Sequence, residues 1–320
     1  MGEKAAATAS RVRIGILAFF ATPVALIILY VSTAAAVLSA AQGIPLSAYG
    51  GAAGTLVAAL ILFLVSLTGV ADVTGMYVAT AWSAVIAVGA PLVWRSASSQ
   101  PQSQGAPNLT TSLEGALMWS FLPVLVFFIF LGASISLTLV RRWRKANTSL
   151  GRPWAARGKT GRTGAASIGL GVSVTVGLWI VLAALAPADL ATVSIFGAQG
   201  LIVEHPDLVA VLLACLLSLA LGFSSAYSTL GVGFSAVVLM IFPGQILLPL
   251  WMTLTGQVAV PSSAVNTIFA LVGPTVAAIG VVLLAATAPV HFARARIVES
   301  EDPLSAPTPE RLTENGTNPK

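Results

Sequence analysis

The side chains with the widest chemical range lie in the segment Glu204-His205-Pro206-Asp207, which directly precedes a long apolar run. Carboxylates and imidazoles are metal ligands and acid–base groups, so this segment could carry the outer-face site of a membrane enzyme. Adjacent residues rarely converge on one ion without partners from elsewhere. A solvated loop in which Asp207 caps the next helix explains the same residues, and we favour that interpretation.

A second group of candidates consists of amides and hydroxyls inside apolar runs that also contain proline. Gln245 follows Pro243 and Gly244, and Asn266 precedes Pro274. Proline removes a helix hydrogen bond, and broken helices with freed carbonyls are one route to a substrate site. Kinked packing helices are commoner. If a neutral substrate binds, we expect its polar contacts to be Gln245, Asn266 and Ser225.

Signatures of ion coupling and catalysis are missing from the rest of the sequence. It contains no HExxH, no G-x-S-x-G and no P-loop. The single cysteine, Cys215, excludes an intramolecular disulfide and a cysteine-based metal site. The nearest acid to a span interior is Asp72, which could form a turn or bind a cation. We therefore expect no enzyme activity, no cofactor and no metal site.

These residues must be positioned by membrane-spanning helices, as the composition indicates. Of 320 residues, 57% are hydrophobic and 8% are charged, whereas soluble domains carry about 25% charged residues. A span needs about 20 apolar residues and must be helical. We predict an all-α polytopic transmembrane helix bundle of about eight spans. The expected spans are residues 14–38, 52–71, 76–94, 114–140, 165–186, 208–228, 232–253 and 264–290.

The placement of basic residues predicts the orientation of this bundle. With eight spans, fifteen of the sixteen Lys and Arg residues fall on the side of the N-terminus, and only Arg95 falls on the other. Cytoplasmic loops carry such an excess, so we expect both termini in the cytoplasm of a bacterium. The N-terminal apolar run is long enough to be a retained first span rather than a cleaved signal peptide. We expect a basic cluster in the central loop either to set the membrane orientation or to bind anionic lipid headgroups. The cluster comprises Arg141, Arg142, Arg144 and Lys145.

The spans divide into two sets of four around the basic loop, which suggests a parallel internal duplication. Pro123 in the fourth span and Pro274 in the eighth each follow a serine, Ser112 and Ser263, by eleven residues. Chance matches are common in the small alphabet of membrane segments. We divide the chain into an N-terminal segment 1–13, a first membrane half 14–140, a basic loop 141–164, a second half 165–290 and a disordered tail 291–320.

Small residues recur at four-residue spacing in the fifth span, at Ala165, Gly169, Ser173 and Gly177. Such a face allows close approach of another helix, within the chain or from a partner. Together with the uncharged span interiors, it favours a non-enzymatic accessory or scaffold protein, with envelope assembly as one setting. Its partners would be membrane lipids and other membrane proteins, and no nucleic-acid-binding module fits the loops. A transporter or permease for a neutral or lipidic substrate is the main alternative, and an enzyme with an outer-face site is the third.

Overall fold

The chain forms a bundle of eight principal helices, as the hydropathy pattern predicts. The computed structural model describes residues 2–41, 45–98, 117–150, 161–186, 207–247, 250, 254 and 264–299, and no strand occurs among them. Six of the helices are long and apolar enough to cross a membrane, and the apolar stretches of α3 and α6 are shorter. The helices are α1 Gly2–Ala41, α2 Pro45–Ala71, α3 Thr74–Ser98, α4 Leu122–Leu150, α5 Gly161–Leu185, α6 Leu208–Ser224, α7 Thr229–Leu247 and α8 Ala264–Glu299.

Several helices extend beyond the predicted apolar spans into polar sequence. The N-terminal segment 1–13 is helical from Gly2, and α4 continues to Leu150 inside the predicted basic loop. The predicted disordered tail is wrong for residues 291–299, because α8 runs on to Glu299. Alanine and arginine favour helix, and the first following breaker is Pro303. Hydropathy marks where a helix enters lipid, but it does not mark where the helix ends.

The fourth predicted span, 114–140, is interrupted before its proline. A turn at residues 119–121 precedes α4, and Phe121 has a positive φ of 52°. Proline fits the first turn of a helix, where its missing N–H is not needed for an intrahelical hydrogen bond. The helix therefore begins at Leu122, next to Pro123. The fully buried side chain of Trp119 lies in this turn.

The last helix, α8, lies at the centre of the bundle. Nearly every residue from Leu271 to Ala286 is buried, and α8 packs against α1, α2, α4 and α7. The fourth helix also packs against α6, so α4 and α8 together fill the space between the two halves. The large apolar side chains that fill it are all fully buried, and they include Ile129, Phe130, Leu137, Val276, Ile279 and Leu283.

The two halves meet most closely where α4 crosses α6. A Cβ added at Gly222 would lie 2.4 Å from the carbonyl oxygen of Ile129, and one added at Gly132 would lie 2.5 Å from that of Leu219. One turn further along α4, the hydroxyl of Ser136 donates to the carbonyl of Phe223 at 2.8 Å. Small residues permit this backbone contact, which apolar membrane helices use in place of a hydrophobic driving force.

Both halves close one end of the bundle in the same way. In the fourth helix of each half, a guanidinium donates to two consecutive carbonyls at the C-terminal end of the second helix, which lie inside the last turn of α2 and directly after the last residue of α6. The two acceptor pairs are 156 residues apart in sequence, and the two arginines are 153 apart. The bonds run from Arg141 to Gly69 and Val70, the latter at 3.0 Å, and from Arg294 to Ser225 at 3.4 Å and Ala226 at 3.2 Å.

Candidate functional site

The least regular helix of the bundle is α7. It begins as an α-helix at Thr229–Phe234 and continues as π-helix over Ser235–Ile241 and Pro243–Leu247. The amide of Phe242 donates to the carbonyl of Val237, five residues back. π-helical turns are rare and are frequent at functional sites. The irregularity that the sequence predicts around Pro243 is therefore present, as a change of helix type.

The irregular part of α7 rests directly on α8. A Cβ at Gly244 would lie 2.2 Å from the carbonyl oxygen of Gly273 and 3.0 Å from the Cβ of Ala277. Gly244 therefore has no room for a side chain. The contact joins the residue after Pro243 to the residue before Pro274, so the structure brings two proline-containing segments together.

Two of the predicted substrate contacts belong to these helices. Gln245 follows Gly244 and is half-buried. Asn266 lies in α8, seven residues before Gly273, which is about 10 Å along a helix axis; its side chain lies outside the described part of the structure. Their role in binding stays a prediction, and the backbone places them at the same end of the bundle.

The third predicted contact, Ser225, lies at the other end. Its hydroxyl donates to the carbonyl of Gly222 at 2.7 Å, and its own carbonyl accepts from Arg294. Arg294 follows Gly273 by 21 residues in the same helix, or about 30 Å of helix. The structure therefore does not bring Ser225 to Gln245. Ser225 caps the end of α6, where its polarity satisfies backbone groups.

The sequence did not single out Trp179, which links α5 to the irregular helix. Its indole N–H donates to the carbonyl of Leu239 at 3.0 Å. This carbonyl lies four residues before Pro243 and would bond residue 243 in a regular α-helix, but proline has no amide hydrogen. The N–H of a buried tryptophan usually finds a hydrogen-bond acceptor. That preference is visible in sequence, whereas the partner 60 residues away is not.

Polar side chains concentrate at the end of the bundle that carries Arg11, Arg141 and Arg294, which we call the basic end. Here Asp72 accepts from the amide of Thr74 at 2.9 Å and from its hydroxyl at 2.6 Å, and it pairs with Arg11 at 2.8 Å. The interpretation of Asp72 as a turn-forming residue at the start of α3 is supported by these bonds. They account for the carboxylate without a bound cation.

These contacts set the ionisation of Asp72. Partial burial raises the pKa of the carboxyl, but the hydrogen bonds from Thr74 and the charge of Arg11 outweigh it and hold the pKa below its usual value. A carboxylate with a lowered pKa stabilises the fold above its unfolded pKa of about 3.9. That contribution is lost as the pH falls through the lower folded value.

We expect the unfolding temperature of the wild-type protein to fall at acid pH more steeply than that of Asp72→Asn. Near neutral pH, Asp72→Asn should cost less than about 1 kcal/mol, because asparagine still accepts a hydrogen bond from Thr74 but loses the exposed ion pair with Arg11. Thermal unfolding between pH 3 and pH 7 measures both quantities. Parallel pH profiles for the two proteins would contradict this assignment.

The predicted lipid-contacting cluster is divided by the structure. The guanidinium of Arg141 is held by the end of α2, whereas Arg142 is exposed. Arg144 and Lys145 lie in α4, and their side chains are outside the described part of the structure. A lipid-headgroup role for this cluster stays a prediction, and Arg141 has a structural role in addition.

At the opposite end, Asp207 accepts from the amides of Val209 at 2.9 Å and Ala210 at 3.4 Å, which caps α6 as predicted. Glu204 and His205 lie outside the described residues. Near the basic end, His291 Nδ1 lies 2.8 Å from the hydroxyl of Thr229. Among the described residues, no group of three His, Cys, Asp or Glu side chains could hold a metal ion.

No protein-family model, curated protein or solved structure matches this chain. The interpretation of its function therefore depends on its own geometry. Two regions carry that interpretation, namely the packed boundary between the halves and the irregular helix α7.

Proposed function

We propose that this multi-pass membrane protein is a non-enzymatic accessory or scaffold component of the bacterial cytoplasmic membrane, with both termini in the cytoplasm. Envelope assembly is the setting that we favour. The observation that carries the proposal is the filled boundary between the two halves, where α4 and α8 occupy the centre. A protein built to hold others in place needs a rigid interior and exposed faces for its partners.

The boundary supports a static role more than alternating access. Transport by rocking of repeats requires two halves that move against each other around a substrate site. Here the backbones of Gly132 and Gly222 are in contact, and Ser136 bonds across the boundary. Separating the halves would break this contact and expose the apolar side chains of α4 and α8.

A face of α5 is available for a partner helix. The predicted small-residue face does not pack inside the chain at Ala165, Gly169 and Ser173, which are exposed. The helix instead turns Gly171 and Leu178 inward. Small residues at this spacing allow close approach of a second membrane helix, so we assign this face to another membrane protein.

The scaffold proposal is tested by changing this face without changing the fold. A side chain at Gly169 or at Gly89 meets no atom within 4 Å. Gly169→Leu is expected to abolish crosslinking of the protein to its neighbours in native membranes, whereas the matched variant Gly89→Leu retains it. Both variants should be at least as stable as the wild type, because leucine favours a helix more than glycine does. Equal crosslinking by the two variants would remove α5 as the partner face.

The proposed lipid role of the basic loop has a separate test. We expect Arg142→Gln, Arg144→Gln and Lys145→Gln together to weaken the binding of anionic lipid by on the order of a hundredfold, since each of the three basic residues near the surface contributes about 1 kcal/mol. Arg141 is kept because it caps α2. Arg95→Gln is the control. Native mass spectrometry measures the bound lipid, and unchanged lipid would leave topology as the loop's only role.

The proposed topology predicts which loops are accessible from outside. The single native cysteine, Cys215, is 6% exposed, so it contributes little background labelling. In intact cells, a membrane-impermeant maleimide should label Ser103→Cys at least about tenfold more than Ser149→Cys, because a sealed membrane excludes the charged reagent. Permeabilised cells should label both. The reverse pattern in intact cells would invert the proposed topology.

A second candidate function, a permease for a neutral or lipidic substrate, is favoured by the irregular helix α7. Its π-helical turns and the contact of Gly244 with Gly273 resemble the broken helices of transporters in kind. Flux through proteoliposomes would establish this function. In that case Gln245→Leu should lower the flux, and Val238→Leu on the exposed face of α7 should not.

A further inference from the structure

Thr175 of α5 and Ser235 of α7 lie at neighbouring levels where these two helices pack together, as the contacts on either side of them show. Below them, a Cβ at Gly171 would lie 2.7 Å from the carbonyl oxygen of Gly231 and 2.9 Å from the hydroxyl oxygen of Ser235. Above them, Trp179 bonds the carbonyl of Leu239. Thr175 stands one helical turn from both Gly171 and Trp179, so it lies opposite the turn between Ser235 and Leu239.

Both hydroxyls are buried without a hydrogen bond. Thr175 and Ser235 are 0% exposed, and neither hydroxyl has a partner within the described part of the chain. Other threonines in this bundle donate to the carbonyl four residues earlier, as Thr33 and Thr287 do. A buried hydroxyl without a partner is costly, above all in lipid.

The surroundings of this pair define the chemistry that it could recognise. Residues 165–185 of α5 and 229–247 of α7 include no Asp, Glu, Lys, Arg, His, Tyr or Cys, so these two helices offer no charge to pair with a charged ligand. Thr175 lies midway along the apolar stretch Ala165–Leu185. The neighbouring side chains of Val176 and Val237 are exposed on the outside of the bundle, so the buried pair lies next to the lipid-facing surface.

The helix type on one side of the pair adds an independent indication. Ser235 is the first residue of the π-helical segment Ser235–Ile241. Such segments are frequent at functional sites. We propose that Thr175 and Ser235 form a mid-membrane site between α5 and α7 that binds the hydroxyl group of an otherwise apolar, lipid-like molecule. This site does not depend on either proposed function.

The proposal is tested with an alcohol and the alkane of the same length. In phosphatidylcholine nanodiscs, a diazirine-bearing dodecanol should label peptides of α5 and α7, and excess dodecanol should compete at least tenfold better than dodecane. Thr175→Val and Ser235→Ala should each lower the labelling about fivefold, as the loss of one neutral hydrogen bond does.

Ser218→Ala is the matched control, because Ser218 is also fully buried without a partner in the described residues but belongs to α6. Its labelling should equal that of the wild type. Thermal unfolding of every variant confirms that it is folded, and Thr175→Ser provides a hydroxyl-retaining variant if Thr175→Val does not fold. Equal competition by dodecane, or labelling unaffected by both variants, would overturn the proposal. The proposal would also be overturned if the wild-type protein takes no label and the variants are destabilised. That combination would indicate that the two hydroxyls bind only water.

Discussion

Gly222→Ala is expected to lower the free energy of unfolding by about 3 kcal/mol, at the upper end of what overpacking a core costs. The added Cβ would lie 2.4 Å from the carbonyl oxygen of Ile129 and 3.1 Å from the amide nitrogen of Ala133. Backbone atoms cannot turn away as a flexible side chain can. The helices α4 and α6 must therefore move apart along the boundary that joins the halves.

The matched control is Gly169→Ala, where the new methyl group meets nothing within 4 Å. Glycine inside a helix costs about 0.5–1 kcal/mol relative to alanine, so this variant should be slightly more stable than the wild type. Chemical unfolding in mixed micelles measures both variants. If Gly222→Ala lowers the free energy of unfolding and Gly169→Ala raises it, the effect arises at the α4–α6 contact. If both substitutions change it in the same direction, this explanation is wrong.

Arg294→Met is expected to destabilise the protein by about 2–3 kcal/mol, because hydrogen bonds to a charged donor contribute more than neutral ones. The guanidinium serves the carbonyls of Ser225 and Ala226, which follow α6 and lack amide donors from a continuing α-helix. Methionine keeps the length of the side chain but removes all donors. Thermal unfolding in nanodiscs gives the loss.

A similar loss is expected for Arg141→Met, since Arg141 donates to the carbonyls of Gly69 and Val70 at the end of α2. The control is Arg142→Met, whose side chain is exposed and should cost less than about 0.5 kcal/mol, as most surface substitutions do. A loss at Arg142 as large as at Arg294 would indicate a general effect of charge at the basic end, not helix capping.

The main features of this fold follow from one-dimensional patterns. Apolar runs of spanning length predict helices because unpaired backbone groups are too costly in lipid. Helices occupy all eight predicted positions in the described part of the chain, and six of them are long and apolar enough to cross a membrane. The cap at Asp207 was also predictable, because an Asx cap is local. Whether Gln245, Asn266 and Ser225 lie together was not predictable from the sequence. Ser225 and Gln245 occupy opposite ends of the bundle, and spacing along the chain does not show this.

The sequence by itself determined that the chain is a polytopic helix bundle with uncharged span interiors, since hydropathy and charge act within single segments. The tertiary structure decided which helix occupies the centre, which glycines allow backbone contact and which carbonyls the arginines reach. Gly169 and Gly222 have the same side chain and both lie in apolar helices, yet one faces outward and the other touches α4. The physical reason is that packing depends on the rotation and crossing of whole helices, which no local pattern specifies.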